Sequence, residues 1–189
     1  MDENLNNLRH SAAHLLAAAV MDLWPGTKRT IGPAIENGFY FDFEFPKGVQ
    51  ISDNDFEKIE QKMHEIVKGW SGFEKHTLSK KEALKEYPGN EFKEELIEEF
   101  TKTGESVTFY KSGNYWDLCK GGHCENPKEE LKNFKLLSIA GAYWRGSEKN
   151  PMLTRIYGTV FPAKQDLDHY LQMLEESKKR DHKKIRTST

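Results

Sequence analysis

Two short patterns, far apart in the chain, restrict the fold more than anything else in it. LRHSAAHLL places His10 and His14 four residues apart, and Cys119-Lys-Gly-Gly-His123 places a thiol and a third imidazole at the same spacing. On a helix, residues four apart share a face, so the first two imidazoles point the same way. The glycines of the second pattern permit a tight turn with positive φ, which brings Cys119 and His123 together. A fold that uses all four must lay an amino-terminal helix against a turn from the second half of the chain. Neither pattern is specific alone. Together they offer the donor types that softer divalent metals prefer.

The periodicity predicts a helix over Leu5–Leu23, with Leu5, Leu8, Ala12, Leu15, Leu16, Ala19 and Leu23 as its apolar stripe. His10 and His14 lie at the edge of that stripe, and Trp24-Pro25-Gly26 ends the helix. Glu36-Asn37-Gly38 between two β-rich runs is a hairpin signal. Phe39, Phe41, Phe43 and Phe45 then alternate with Tyr40, Asp42 and Glu44, as in a half-buried strand with a polar outer face. Ser52-Asp53-Asn54-Asp55 and Ser79-Lys80-Lys81-Glu82 read as capping boxes that open helices, with a short strand over Phe73–Leu78 between them. An acidic helix over Glu91–Thr101 follows. The stretch from about 52 to 102 is therefore expected as an inserted helical region with a solvated charged face and no chemistry of its own.

Further strands are expected over Val107–Tyr110, Tyr115–Leu118, Phe134–Ala140 and Met152–Phe161. A charged helix runs from Lys164 to about Lys184, with a narrow stripe of Leu167, Tyr170, Leu171 and Leu174. The order of elements predicts an α+β fold, an antiparallel sheet packed against helices. Residues 1–162 form the expected main domain, and 163–189 the start of a linker helix.

Composition excludes several classes. The 189 residues, 37% hydrophobic and 31% charged, describe a globular chain with a very polar surface. No apolar run reaches the roughly 20 residues of a membrane helix, and the amino terminus lacks a signal-peptide pattern. Two cysteines five apart, flanking a histidine, do not make a disulfide framework, so a reducing, cytoplasmic setting is expected. A net charge of −2 gives no global attraction to nucleic acid, and any RNA contact must come from a local patch.

The chemistry of the cluster divides at one point. Four protein ligands close a tetrahedral zinc site, whereas a hydrolytic zinc keeps one position for water. Either three of the four residues bind a metal beside a water, or no metal is bound and an imidazole is the general base. Asp117, two residues before Cys119, shares its strand face and could orient a histidine or grip a substrate amine; an exposed strand carboxylate is the alternative. His64, His76 and His169 have no partner spacing and read as ordinary surface or core residues.

RHSAAHLL, WPGTKRTIGPAIENGFYFDF, YWDLCKGGHCENP, FKLLSIAGAYWRG, MLTRIYGTVF and the terminal KKRDHKKI together resemble the editing region of bacterial threonyl-tRNA synthetases, from about Leu8 to Lys184. The resemblance implies hydrolysis of serine wrongly attached to threonine tRNA, with His10, His14, Cys119 and His123 lining the site and Asp117 beside it. Zinc is the metal that this residue set suggests. A lysine that some members carry in the strand after a Gly-Glu pair is matched here by Thr108, with Lys111 nearby.

Gly121 and Gly122 are candidate oxyanion donors. Lys28, Arg29, Lys120, Arg145 and Arg155 are candidates to hold the acceptor end of the tRNA, and Tyr115, Trp116, Tyr143 and Trp144 to stack its terminal adenine. Motifs for ATP and threonine are missing, so an excised region that is monomeric in isolation, with the remainder of a synthetase as its partner, is expected; a freestanding editing protein is the alternative. Two other functions fit the same residues: a tRNA-binding module with a structural zinc, and alanyl-type editing, which shares the HxxxH and CxxxH patterns.

Overall fold

The computed structural model describes residues 2–104 and 106–187, and the side chains of all but 184–187 among them. Helix α1 (Glu3–Leu23) is capped by the Asp2 carboxylate, which accepts the Asn4 N–H at 3.0 Å, and ends at Trp24. Strands β1 (Lys28–Arg29), β2 (Ala34–Ile35) and β3 (Gly38–Glu44) follow. The β2–β3 hairpin turns on Asn37 at φ 62, a conformation that asparagine tolerates.

Both capping boxes form. Ser52 caps a short turn leading into α2 (Phe56–Val67), and Ser79 caps α3 (Lys80–Lys85), with β4 (Glu74–Leu78) between them. Helix α4 (Glu91–Phe100) begins at Asn90, whose side chain accepts the Lys93 N–H. The chain continues through β5 (Val107–Ser112), β6 (Tyr115–Leu118), a short α5 (Pro127–Glu130), β7 (Asn133–Tyr143), β8 (Met152–Phe161) and α6 (Lys164–Thr187).

The class is α+β, and the strands divide between two antiparallel sheets. The larger runs β1-β3-β8-β7 with β2 on β3; the smaller runs β4-β5-β6. The strand inside the stretch read as an insertion therefore pairs with β5, from Glu74 opposite Lys111 to Leu78 opposite Val107. Strand β7 runs to Tyr143, three residues beyond its expected end, because the β7–β8 hairpin stays in register to Met152.

Helix α1 is no surface helix with one buried stripe. From Leu8 to Val20 every residue except His10 is buried, as expected where a helix is covered on all sides. The small side chains of Ala12, Ala13, Ala17, Ala18 and Ala19 let α2 and the large sheet approach closely, and Phe39, Phe41 and Phe43 close the core from the sheet side. The outer face of β3 also departs from expectation. Asp42 is buried because Arg155, opposite it on β8, donates to both carboxylate oxygens at 2.8 and 2.9 Å and lies 3.9 Å from the Tyr40 ring centroid.

Helix α6 docks through Leu167 and through Tyr170 on Phe161, and its side chains from Glu175 to Lys183 are exposed, as the end of the apolar stripe at Leu174 requires. Among the described residues no helix is long and apolar enough to cross a membrane.

Gly158 faces Phe39 across the β3–β8 pair, and a Cβ there would lie 2.5 Å from the ring. Phe39 is fully buried, so its ring has little room to swing aside. Gly158→Ala is expected to lower unfolding free energy by about 1–3 kcal/mol through overpacking, measured by urea denaturation; an unchanged midpoint would show that the ring relaxes.

Candidate functional site

The four residues of the two patterns meet. Helix α1 sets the His10 and His14 ring centroids 5.0 Å apart, nearly perpendicular. The Cys119–His123 turn lies against them, with Gly121 at φ 102 and Gly122 at φ 84. These glycines are required twice over: a Cβ at Gly121 would come within 2.6 Å of the Tyr110 hydroxyl, and one at Gly122 within 3.1 Å of Asn7. One ligand atom from each of His10, His14, Cys119 and His123 lies within 4.8 Å of the others.

Hydrogen bonds hold the cluster. Cys119 Sγ is 3.5 Å from His10 Nε2 and 3.3 Å from His123 Nε2. His10 Nδ1 meets the Gly122 carbonyl at 2.9 Å, and His123 Nδ1 meets the Ser11 hydroxyl at 3.0 Å. His123 is clamped between rings, with Phe73 stacked at 3.8 Å and His10 at 4.4 Å. The Gly121 N–H, a candidate oxyanion donor, instead donates to Cys119 Sγ at 3.2 Å.

Burial governs the ionisation of these groups. It raises the Cys119 thiol to about 11, against a smaller lowering by the Gly121 N–H. It also lowers His123 to about 3, helped by His10. His14 falls well below its ordinary value through burial and then the neighbouring His123 and His10, and His10 falls through burial, partly offset by its bond to Gly122. At neutral pH the metal-free cluster is a thiol among neutral imidazoles.

Beside it lies a buried charge centre. Asp117 is 2% exposed, which excludes the exposed-carboxylate alternative. Lys93 Nζ sits 3.0 Å and Arg29 Nε 3.3 Å from Asp117 Oδ1. The Tyr87 hydroxyl donates a short bond to the same oxygen, and the Tyr115 hydroxyl donates to Oδ2 at 2.9 Å. Burial alone would raise the Asp117 carboxyl, but Lys93 and Arg29 overcome it and keep the group ionised. Lys93 is itself lowered by burial, against the attraction of Asp117.

Lys93 and Tyr87 come from the stretch expected to present a solvated charged face without chemistry, and the structure instead buries both against Asp117. The sequence signal was slight: Lys93 is the lone basic residue of EFKEELIEEF. Thr108, matched to the family's lysine, has another task. Its carbonyl accepts the Cys119 N–H at 3.0 Å, and its hydroxyl donates to the Cys119 carbonyl. Lys111 is exposed and does not line the cleft.

The cluster opens on a cleft of about 500 Å³ whose walls include His10, His14, Cys119, Asp117, Lys93 and Thr108, with Lys120 and Phe100 also lining it. Of the five candidate RNA-binding cations, Lys120 and Arg29 are at this end of the molecule. Lys120 lies 4.9 Å from the Phe100 ring centroid. Arg29 is held between Tyr87 and Tyr115, at 5.2 and 5.0 Å from their centroids, and donates to the Trp116 carbonyl. Lys28 pairs with Glu44 and Glu91, Arg145 with Glu95 and Glu99, and Arg155 with Asp42. Of the four stacking candidates, Tyr115 and Trp144 are buried, Trp116 packs on Phe109, and Tyr143 is exposed.

Three imidazoles and a thiolate are a fitting donor set for zinc. The second nitrogens of His10 and His123 already meet oxygen partners, as such ligands commonly do, and His14 Nδ1 is buried without a partner. The four residues therefore fit a metal ion, provided Cys119 loses its proton to it.

Residues 107–157 match the family described as the threonyl and alanyl tRNA synthetase second additional domain. Nearly the whole chain is, more particularly, similar to part of the threonine–tRNA ligases. It is 52% identical over 185 residues to that of Borreliella burgdorferi strain ZS7, covering 97% of this chain and 31% of the relative. Against the Desulfatibacillum aliphaticivorans ligase it is 47% identical over 187 residues, 99% of this chain and 28% of the relative. Against that of Thermotoga petrophila it is 50% identical over 179 residues, 94% and 27%. The chain thus spans less than a third of the length of these curated relatives.

Asp117→Ala would leave Lys93 and Arg29 buried without their counter-ion. It is expected to cost about 3–5 kcal/mol, as for other broken buried pairs, whereas Lys28→Ala at a half-exposed surface pair changes stability by no more than about 1 kcal/mol. Urea denaturation compares the two, and similar losses would mean that Asp117 is not the electrostatic anchor.

Proposed function

We propose that the chain hydrolyses the ester between serine and the terminal ribose of threonine tRNA. The observation that carries this reading is the convergence of three imidazoles and a thiol, with His10, His14 and Cys119 on the wall of a cleft that also holds the buried Lys93–Asp117 pair. A synthetic site gains only about 1–3 kcal/mol from the methyl that separates threonine from serine, so correction by a second site is useful. The ester is already activated. A water oxygen attacks its carbonyl carbon, an imidazole lone pair takes the water's proton, and the ribose oxygen leaves with that proton as serine is released.

His10, His14, Cys119 and His123 orient the water in this reading, and Asp117 acts as a positioning residue through Lys93. Gly121 is committed to Cys119 Sγ, so Lys93 is the better donor to the developing oxyanion. Lys120 is placed to meet the phosphates of the acceptor end, with Arg29, Lys28, Arg145 and Arg155 in structural pairs. A zinc ion held by three of the four cluster residues would supply a more acidic bound water. One observation favours a structural zinc in a tRNA-binding module instead: four ligands within 4.8 Å can complete a closed tetrahedral site.

Deacylation of seryl-tRNA(Thr), run with and without chelator and beside seryl-tRNA(Ala), separates these functions. Hydrolysis of seryl-tRNA(Thr) is expected, and a folded Cys119→Ala protein is expected to lose activity. His10→Ala and His14→Ala are each expected to lower the rate about 100-fold or more. The double variant should lose little beyond the worse single, because the two act as one unit. Stoichiometric metal without deacylation would establish the binding module in place of the hydrolase.

A further inference from the structure

The hydrogen bonds around Cys119 have a direction, and it can be followed from one end. His10 Nδ1 faces the Gly122 carbonyl at 2.9 Å, and a carbonyl can only accept, so this nitrogen carries the proton. In the neutral ring Nε2 is then a bare lone pair, and it lies 3.5 Å from Cys119 Sγ. The thiol has one proton to give, and three acceptors are within reach of it: His10 Nε2, His123 Nε2 and, at 4.0 Å, the Gly121 carbonyl. When His10 takes it, His123 Nε2, 3.3 Å from the same sulfur, donates to that sulfur. That leaves His123 Nδ1 as the bare nitrogen, facing Ser11 Oγ at 3.0 Å. The Ser11 hydroxyl already accepts the Cys124 N–H at 3.0 Å, and its own proton has two acceptors in reach, His123 Nδ1 and the Cys124 sulfur.

We infer that Ser11 is a positioning residue that sets the tautomer of His123, and through it the proton order of the whole cluster. The order runs from Ser11 O–H to His123 Nδ1, from His123 Nε2–H to Cys119 Sγ, from the thiol to His10 Nε2, and from His10 Nδ1–H to Gly122. Its two ends are fixed by groups that do not titrate, the Cys124 N–H and the Gly122 carbonyl. Ser11 touches neither the cleft nor a reacting atom. It is fully buried on α1, on the helical turn that joins His10 to His14. A hydroxyl suits this place because it can also reverse its role: if His123 Nε2 gave its lone pair to a metal, Ser11 would rotate and accept from Nδ1–H.

This inference concerns the site of the proposed hydrolysis, but its first readout does not depend on activity. Long-range nitrogen–proton NMR of ¹⁵N-histidine-labelled, metal-free protein reports which nitrogen of His123 is protonated. Wild type is expected to show His123 protonated at Nε2. Ser11→Ala and Ser11→Cys, which remove the strong donor, should shift it toward Nδ1–H, and Ser11→Thr should keep the wild-type form. If Ser11→Ala does not fold, Ser11→Cys carries the comparison.

On seryl-tRNA(Thr), the non-hydroxyl variants are expected to lower kcat roughly tenfold, as outer-shell losses at such sites do, with KM little changed and activity recovered in Ser11→Thr. An unaltered His123 tautomer in a folded variant lacking the hydroxyl would overturn the inference, as would Nδ1–H in wild type. Absence of deacylation in wild type, with the tautomers as expected, would instead overturn only the hydrolytic reading.

Discussion

The buried carboxylate of Asp117 is the constraint on which most of the structure depends. A carboxylate taken from water costs several kcal/mol unless counter-charge and hydrogen bonds replace its hydration. Here the replacement comes from four directions: Arg29 on β1, Tyr87 between α3 and α4, Lys93 on α4, and Tyr115 on the same strand as Asp117. The edge of the large sheet, the helical stretch and the small sheet are thereby joined at one point. Asn90 tightens the joint, because its side chain caps α4 and also donates to the Arg29 carbonyl. Two cations against one carboxylate leave this end of the cleft with an excess of positive charge.

The second organising element is α1, and its role follows from composition. A run of alanines costs little side-chain entropy in a helix and leaves room for neighbours to close in. The helix can then be enclosed, and the two histidines one turn apart near its start are desolvated along with it. Desolvation keeps their imidazoles neutral, the state in which they accept a proton or bind a metal. The same alanines that make α1 a core element thus set the chemistry of His10 and His14.

What could be read in the sequence was local. The α1 helix, the Asn37 hairpin, the capping boxes at Ser52 and Ser79, and the positive-φ glycines at 121 and 122 each follow from a few neighbouring residues, and each is present. The Cys–His cluster was legible because four chemically unusual residues fall at two matching spacings. Lys93, Tyr87 and Phe73 were not, since what makes them part of the site is a partner more than twenty residues away. The pairings of the cations were hidden for the same reason. Arg29 and Arg155 look like surface charges until Asp117 and Asp42 are seen beside them. Asp42 alternates with phenylalanines as an outward residue should, and no periodicity foretells that an arginine on β8 will cover it.

Charge and proton position are handled by separate groups in this site, and the backbone of β6 connects them. Asp117 organises the positive charge, whereas the thiol and imidazoles, neutral without a metal, organise lone pairs and protons. Only Leu118 separates Asp117 from Cys119, and its N–H is within hydrogen-bond distance of both the Tyr87 hydroxyl and Asp117 Oδ1. Cys119 is then tied to Thr108 through both its N–H and its carbonyl. A shift of the charge centre would therefore move the sulfur, and with it both imidazoles that bond to it. Precision of this kind is difficult to obtain from a mobile loop, even a glycine-rich one. The Cys119–His123 turn has it because the residues before it are strand, the residues beneath it are an enclosed helix, and Phe73 and His10 hold its last ring on both faces.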